Sequence, residues 1–332
     1  MPTLRAIAQL AECSVATVSR VLNGGQGVRA ETRAKVQRAD LRLRQAETDE
    51  LIQVVAVIIP DLRNPYFVQL VRGMEDEANR RDSLLMLCNL DRNVTTAERC
   101  VRFLQDRCID RVIIGGGGVI TPAFQDIWAT LLTQAKVVTV GDHGLSCPAV
   151  LVDEVQGAAQ AVEYLVGFGH RQIAMICGPS SSLPSLNRME GYMSTLFKYQ
   201  LPYISDLIIE GDYTAHSGYQ AGLRLLEQQE LPTAVFCSND LMAHGLMRAL
   251  SEAGLSVPGA ISVIGYDGLE AFAYGHLRLT SVAVPMEAMG RAAVQLLLGE
   301  QAAADAGRVL LPTELRLGET VASPRQIGEA AK

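Results

Sequence analysis

From Val54 onward, short apolar runs alternate with longer helical patterns, and this alternation limits what the chain can fold into. Continuous apolar strands separated by helices predict parallel sheets in βαβ units, covered by helices on both faces. The predicted strands are VVAVII (54–59), LLMLCN (84–89), RVIIG (111–115), VVTV (137–140), AVLV (149–152), IAMIC (173–177), AVFC (234–237) and SVIGY (262–266). Helices are predicted near 156–168, 185–199, 215–229 and 240–254.

The number of predicted strands indicates two doubly wound lobes with a cleft between them. Ligands of such sheets bind beyond the carboxyl ends of the strands, so the residues that follow each apolar run are site candidates. These segments are polar and suit a small hydrophilic ligand. They are DLRNPYF (61–67), GPSSSLPSLNR (178–188), SND (238–240) and Asp267, together with EGDY (210–213) before a helix.

Residues 3–23 carry a different pattern, that of two short helices that meet at a tight turn. A cap at Thr3 begins a helix whose apolar residues recur at three- and four-residue spacing, and Ser14 restarts the pattern. The apolar positions are Leu4, Ile7, Ala8 and Ala11, then Val15, Val18, Val21 and Leu22. Small side chains, hydroxyls and Arg20 remain on the outer face, where they can reach phosphates and base edges in a major groove. An ordinary helical hairpin in a core is the alternative.

The segments SVATVSRVLN (14–23) and VRAETRAKV (28–36) resemble the headpiece of the LacI/GalR family of bacterial transcription regulators. The resemblance implies a third helix at 30–38 and double-stranded operator DNA as a partner. It implies that bases are read by Val15, Ala16 and Arg20, and that phosphates are contacted by Thr3, Ser14, Thr17, Ser19 and Asn23.

The distribution of charge agrees with that assignment. Residues 1–48 carry eight Lys and Arg against four acidic residues, a net charge of +4, whereas the whole chain carries −7. The remainder is therefore near −11. Because DNA repels an acidic surface, we expect nucleic-acid contacts to be confined to the basic N-terminal segment.

The polar segments of the body resemble the effector-binding half of the same family and periplasmic sugar-binding proteins. The resemblance implies that ligand hydroxyls are held by Arg188 in NRMEGY, Asn239 in CSND and Asp267 in IGYDG, and that aromatic positions at the cleft are Tyr66, Phe67 and Tyr213. A charged fork and two acceptors suit vicinal hydroxyls, and aromatic faces pack the C–H face of a sugar ring. From the residues alone, Asp267 could instead be a strand-end cap, Arg188 a surface charge and Tyr213 simple packing.

Two departures from the family pattern affect the expected mechanism. Glu12 stands where the turn before the second helix usually carries glycine, so we predict a positive φ at Glu12 and strain on the order of 1 kcal/mol. The segment ADLRLRQAETDELIQV (39–54) replaces the family's turn and hinge helix. Its acids Glu47, Asp49 and Glu50 oppose insertion into a minor groove. We therefore expect a shortened linker and altered coupling to DNA.

These features divide the chain of 332 residues into parts. We predict an all-α helix-turn-helix headpiece at 1–47, a shortened linker at 48–53, an α/β effector-binding and dimerisation domain at 54–322 and a tail at 323–332. We expect its doubly wound parallel-sheet lobes, of the periplasmic-binding-protein type, to comprise about 54–153 with 284–311 and about 154–283 with 312–322.

Other function classes have little support in the sequence. GGGG (115–118) lacks the G-K-[ST] ending of a phosphate loop, and no G-x-S-x-G elbow offers a nucleophile. The seven cysteines contain no C-x-x-C pair and the five histidines no H-x-x-x-H pair. No apolar run approaches the ~20 residues that span a bilayer, and no signal peptide is evident. We therefore expect a cytoplasmic protein that is not an enzyme and has no metal or cofactor.

The most consistent interpretation is a homodimeric repressor of a carbohydrate-utilisation operon, controlled by a sugar-like effector between the lobes. Pro184 lies where related sugar sensors often have a small polar residue, so pentoses, hexoses, sugar acids and nucleosides all stay open. The alternative is a sugar-receptor-like binding module with impaired or no regulatory output, since the linker is shortened.

Overall fold

The computed structural model describes residues 2–47, 53–116, 121–270, 277–299 and 307–324, without the side chains of 41, 42 and 44–47. An N-terminal helical headpiece precedes two α/β lobes. Among the described residues, no helix is long and apolar enough to cross a membrane. The headpiece consists of α1 (Leu4–Leu10), α2 (Val15–Leu22) and α3 (Ala30–Glu47).

The three headpiece helices enclose a small core of their own. Its buried members are Ile7, Ala8, Ala11, Val18, Val21, Val36 and Ala39. Thr3 Oγ1 accepts from the Ala6 N–H at 3.2 Å, and Ser14 Oγ accepts from the Thr17 N–H at 3.1 Å, so both predicted caps are formed. The predicted positive φ at Glu12 is confirmed, at 50°.

Three apolar residues of this region are not in the core as we expected. Leu4 and Val15 are each 41% exposed and Leu22 is 38% exposed. On α2 the buried face is centred on Val18 and Val21, and a helical step places Val15 and Leu22 at its margin. Val15 is therefore available on the outer face.

The third helix is longer than the predicted 30–38, because α3 continues to Glu47. Residues 39–47 contain neither glycine nor proline and consist largely of strong helix formers, so nothing stops the helix at Arg38. Glu47 is thus helical. Asp49 and Glu50 lie outside the described residues, and the linker expected at 48–53 stays a prediction apart from Gln53, where the first strand begins.

The first lobe is a six-stranded parallel sheet with the order β11-β5-β4-β3-β1-β2. Its strands are β1 (Gln53–Ile59), β2 (Ser83–Asn89), β3 (Arg111–Gly115), β4 (Lys136–Val140), β5 (Ala149–Val152) and β11 (Arg308–Leu311). Its helices are α4 (Pro65–Arg80), α5 (Val94–Asp106), α6 (Pro122–Leu132) and α11 (Met286–Leu298). Most of its central strand residues are fully buried, as the continuous apolar runs predict.

The second lobe repeats this architecture with the strand order β12-β10-β9-β8-β6-β7, in which only the pairing of β12 with β10 is antiparallel. Its strands are β6 (Ile173–Cys177), β7 (Ile208–Glu210), β8 (Ala234–Cys237), β9 (Ser262–Asp267), β10 (Thr280–Ala283) and β12 (Glu314–Arg316). Its helices are α7 (Glu154–Gly167), α8 (Leu183–Lys198), α9 (Ala215–Leu226) and α10 (Asp240–Glu252), with a 3₁₀ turn at Ser205–Leu207.

The chain passes between the lobes three times, after β5, after β10 and after β11. Residues that follow strand ends of both sheets, such as Pro60 after β1 and Asn239 after β8, line one cavity. The predicted fold class, a helix-turn-helix headpiece followed by two doubly wound lobes, is confirmed.

Candidate functional site

A cavity of about 240 Å³ lies between the lobes, beyond the carboxyl ends of their strands. We refer to it as the cleft. The structure brings together all six predicted effector residues there. Tyr66 and Phe67 come from α4 of the first lobe, and the second lobe contributes Arg188, Tyr213, Asn239 and Asp267.

Arg188 is the best-anchored side chain of the cleft. It is 6% exposed, so it is not a surface charge. Its Nε donates to Glu154 Oε2 at 2.7 Å and its Nη2 donates to Oε1 at 3.2 Å, while Nη1 donates to the Ser238 carbonyl oxygen. The guanidinium carbon also lies 3.8 Å from the centroid of the Tyr266 ring. Burial alone would lower the pKa of Arg188, but Glu154 and its other neighbours raise it, so the group stays charged.

Asp267 ends β9 and is buried, with 3% exposure, yet no described group donates a hydrogen bond to its carboxylate. Arg188 Nη1 is 3.8 Å from Oδ1, beyond hydrogen-bonding distance. Burial raises the pKa of Asp267 well above its ordinary value; Arg188 opposes the shift, and Asp240 and Glu154 add to it. Its φ of 107° is a conformation that few non-glycine residues adopt. A buried acceptor held in a strained backbone suits a ligand that donates hydrogen bonds.

The backbone-capping role considered for Asp267 belongs to its neighbour Asp240, the first residue of α10. Asp240 Oδ2 accepts from the Leu269 N–H at 2.7 Å, and Oδ1 accepts from Ser281 Oγ at 2.6 Å. Burial raises the pKa of Asp240 to about 7, although these hydrogen bonds oppose the shift. Asp240 thus holds the strand ends together behind the cleft.

Asn239 has a structural role as well as a place in the cleft. Its Oδ1 accepts from the Met242 N–H at 3.0 Å, which caps α10, and its Nδ2 donates to the Tyr213 carbonyl at 3.1 Å. One N–H of the amide remains for a ligand. Asn239 is therefore better placed to donate to a ligand than to accept, which differs from the acceptor role expected for it.

Aromatic rings cover the cleft from both lobes. The Tyr66 and Phe67 rings meet edge to face, with centroids 5.1 Å apart. Tyr213 has a φ of 67°, and its hydroxyl lies 3.2 Å from Ser182 Oγ. A Cβ atom on Gly178 would come within 2.2 Å of the Tyr213 ring, so glycine is required there for the ring to lie against the strand end.

Sequence reasoning missed several residues of the cleft. Glu154 follows β5 directly, and the rule that sites lie beyond strand ends could have found it. Arg92 follows β2 in the same way, and its Nη1 donates to the Asp212 carbonyl at 2.9 Å, which joins the two lobes. The cleft is also lined by Pro60, Asn64, Gly116, Phe124, Gly141, Pro179, Ser181, Ser182, Pro184 and Met289.

The predicted DNA-contacting residues form a second, separate surface on the headpiece. Those exposed to solvent are Thr3, Ser14, Val15, Ala16, Arg20 and Asn23, and those partly exposed are Thr17 and Ser19. Ser14 Oγ lies 2.8 Å from Thr17 Oγ1, and Asn23 Nδ2 donates to Ser19 Oγ at 3.3 Å. The outer face of α2 is thus small, hydroxylic and carries one guanidinium.

An exposed helix on a helix-turn-helix headpiece, joined to two lobes that enclose a polar cleft, defines a ligand-responsive DNA-binding regulator. Comparisons with known proteins agree. Residues 3–40 match the family "Bacterial regulatory proteins, lacI family", and residues 162–321 match "Periplasmic binding protein-like domain". Catabolite control protein A of Priestia megaterium is 32% identical over 303 residues, which cover 89% of this chain and 91% of that protein. The chain belongs to the lacI family of bacterial transcription regulators.

Solved structures of similar regulators share the whole architecture. The complex of the transcriptional regulator CelR with cellobiose has a TM-score of 0.73 and 28% identity, covering 97% of this chain and 100% of that chain. The lac repressor dimer bound to operator and the anti-inducer ONPF has a TM-score of 0.74 and 29% identity, covering 97% and 99%. The relatives named here are transcription regulators rather than enzymes. Among the described residues, no cluster of His, Cys, Asp and Glu could hold a metal ion.

Proposed function

We propose that this regulator is a homodimeric repressor of carbohydrate-utilisation genes, released from its operator when a sugar-like effector occupies the cleft. The observation that carries the proposal is the cleft itself, in which residues from both lobes converge on one buried polar cavity. The similar structure of CelR is a complex with cellobiose, and that of the lac repressor contains the anti-inducer ONPF together with operator. Because its operator would be chromosomal, we expect the protein in the cytoplasm.

The effector would act on the angle between the lobes. Three chain crossings and the Arg92–Asp212 hydrogen bond connect the lobes. A ligand that contacts Tyr66 on one lobe and Asp267 on the other would favour one relative orientation. In a dimer this orientation sets the distance between the two headpieces, and thereby their fit to a two-fold operator.

The cleft chemistry supports a polyhydroxylated effector. The Asp267 carboxyl has room for donors, and Arg188 is held rigidly beside it. The rings of Tyr66, Phe67 and Tyr213 provide apolar faces for the C–H groups of a sugar.

On the DNA side, Arg20→Ala tests the proposal. We expect specific binding to DNA upstream of the protein's own gene to weaken by roughly 1–3 kcal/mol, because a guanidinium that reads guanine contributes about that much. Fluorescence anisotropy at fixed salt would measure it, with Arg5→Ala, an exposed arginine outside the predicted contacts, as the control. Unchanged specificity in Arg20→Ala would contradict the docking of α2.

The receptor-like alternative makes a different prediction for the same assay. If the acidic residues around Glu47 have abolished the regulatory output, the wild-type protein should bind DNA weakly, with a strong dependence on salt and no sequence preference. Ligand binding in the cleft would then persist without any effect on DNA.

A further inference from the structure

We propose that Glu154 determines the charge of the ligand: it neutralises Arg188, so that the cleft accepts neutral polyhydroxylated effectors and rejects carboxylates and phosphates. This inference rests on the proposed effector function of the cleft. It narrows the open set of ligands to neutral sugars and nucleosides, without sugar acids or sugar phosphates.

The geometry of the ion pair is the first argument. Arginine binds a carboxylate best through two parallel N–H groups, and Glu154 already occupies the Nε and Nη2 positions of Arg188. A third N–H donates to the Ser238 carbonyl. Two N–H groups remain, which is enough for ligand hydroxyls. An anionic ligand would instead have to share a cation whose charge Glu154 already balances.

Glu154 is also fixed in place before any ligand arrives. It is the first residue of α7, whose N-cap Asp153 accepts from the Gln156 N–H at 2.8 Å. A carboxylate at a helix N-terminus is stabilised by the helix dipole. A ligand carboxylate would lose translational freedom on binding, whereas Glu154 has none to lose. The Glu154–Arg188 pair is therefore favoured over a pair between Arg188 and a ligand anion.

The second argument is the balance of buried charge. Arg188 is surrounded by three carboxyl groups, those of Glu154, Asp267 and, behind the cleft, Asp240. Even when both aspartates are protonated, Glu154 cancels the guanidinium, and each ionised aspartate makes the cluster more negative. The buried cluster is therefore never positive while the Glu154–Arg188 ion pair is intact.

The remaining basic groups do not change this balance. Arg92 is the other cationic side chain among the described residues that line the cleft, and it is exposed. Its side chain donates a hydrogen bond to the Asp212 carbonyl oxygen, and its charge interacts with the carboxylates of Asp61 and Asp212. His143 lines a mostly apolar recess next to the cleft, together with Phe124 and Trp128. Burial lowers the pKa of His143 to about 4, so it is neutral near pH 7.

The same two helices offer a matched control. Glu163 of α7 pairs with Lys198 of α8 at 2.6 Å, as Glu154 pairs with Arg188, but the Glu163 pair faces solvent. Glu163→Gln makes the same chemical change outside the cleft. Any effect that is specific to Glu154→Gln therefore belongs to the cleft.

The experiment compares thermal unfolding of the full-length wild type, E154Q and E163Q at pH 6, in sodium D-glucuronate against sodium chloride of equal ionic strength. At this pH burial keeps Asp240, with its pKa of about 7, largely protonated, and E154Q removes the carboxylate that accepts two hydrogen bonds from Arg188. We expect glucuronate to raise the midpoint of E154Q by about 2–4 °C relative to chloride, and to leave wild type and E163Q unchanged.

Two results would overturn the inference: stabilisation of the wild type by glucuronate beyond that given by D-glucose, or a glucuronate response of E154Q no larger than that of E163Q. If E154Q does not unfold cooperatively, E154S removes the same charge with a smaller side chain that suits a helix N-terminus, and glucuronate should stabilise it as it does E154Q. No gain in E154S relative to E163Q would then overturn the inference. Because no DNA is used, failure here leaves operator binding to be judged by Arg20→Ala.

Discussion

In the headpiece, the residues proposed to contact DNA lie between Thr3 and Asn23, and most are exposed to solvent. In the cleft, the functional residues come from segments between Pro60 and Met289, and its charged groups are mostly buried. The headpiece thus presents exposed side chains to DNA, a large ligand whose phosphates balance the positive charge of the headpiece. The cleft has to balance its own charges before a small ligand arrives.

The two regions should therefore respond differently to substitution. Removing an exposed headpiece side chain costs only the contacts it makes with DNA, because water solvates what remains. Removing a buried cleft side chain that is ion-paired, such as Arg188, leaves its partner without compensation, which costs stability as well as binding.

The largest effect is expected for Arg188→Met, which leaves the buried carboxylates of Glu154 and Asp267 without their cation. We expect the free energy of unfolding of the body to fall by about 3–5 kcal/mol, as for other buried ion pairs that lose one partner. Urea denaturation would measure it, with Lys198→Met as the exposed control. A loss as small as that of Lys198→Met would mean that the pair contributes little.

Asp267→Ala should separate binding from folding within the cleft. Because no described group donates to the Asp267 carboxylate, we expect the free energy of unfolding to stay within about 1 kcal/mol of wild type. Effector affinity should fall at least tenfold, since the hydrogen bonds between ligand hydroxyls and the Asp267 carboxyl are lost. Calorimetric titration with the sugar that binds the wild type would test this, and an unchanged affinity would remove Asp267 from the site.

Titration of the buried Asp240 carboxyl should make the free energy of unfolding of the body depend on pH. We expect no comparable effect from the headpiece. Its pKa is raised to about 7 by burial, so between about pH 4 and 7 the folded protein keeps a proton that the unfolded chain has lost. Its contribution to stability therefore falls as the pH rises through that window, by roughly 1 kcal/mol per pH unit.

Asp240→Asn removes this titration. Urea unfolding of both proteins at pH 5, 6 and 7 should show the wild type losing stability relative to Asp240→Asn as the pH rises. If the free energy of unfolding changed equally with pH in both proteins, Asp240 would be ionised over the whole range from pH 5 to 7.

The smallest effect is expected in the headpiece turn, at Glu12. Its φ of 50° is a conformation that glycine adopts without strain, so Glu12→Gly should stabilise the turn by about 1 kcal/mol. Amide hydrogen exchange of α1 and α2 in the full-length protein should slow several-fold. The control is Asp82→Gly, at a φ of 52° in the first lobe, which should leave headpiece exchange unchanged.

How much of this could be predicted from sequence also differs between the regions. The headpiece caps and the strained turn at Glu12 are local features, and both were predicted. The strands with long apolar runs were located within about one residue. Strands such as β7 and β12 were missed because three residues carry no periodic signal, and their pairing partners are distant in sequence.

The cleft was predicted only as far as family resemblance reached. Arg188 and Asp267 could be named from their motifs, but not the carboxylate that neutralises the arginine. Glu154 lies 34 residues from Arg188, and the two meet only when α7 and α8 pack together. The extension of α3 to Glu47 was missed because the predicted end of the helix, at residue 38, was taken from the family resemblance. The helix propensity of residues 39–47 would have predicted that the helix continues.

The central claim is that occupancy of the cleft controls the headpiece. The most direct measurement is the affinity of wild type and Asp267→Ala for DNA upstream of the protein's own gene, at fixed salt, with and without a mixture of neutral sugars. We predict that the sugars weaken DNA binding by the wild type at least tenfold and leave Asp267→Ala, which binds the same DNA, unaffected. Specific DNA binding that no sugar changes, or an equal response in both proteins, would contradict the account.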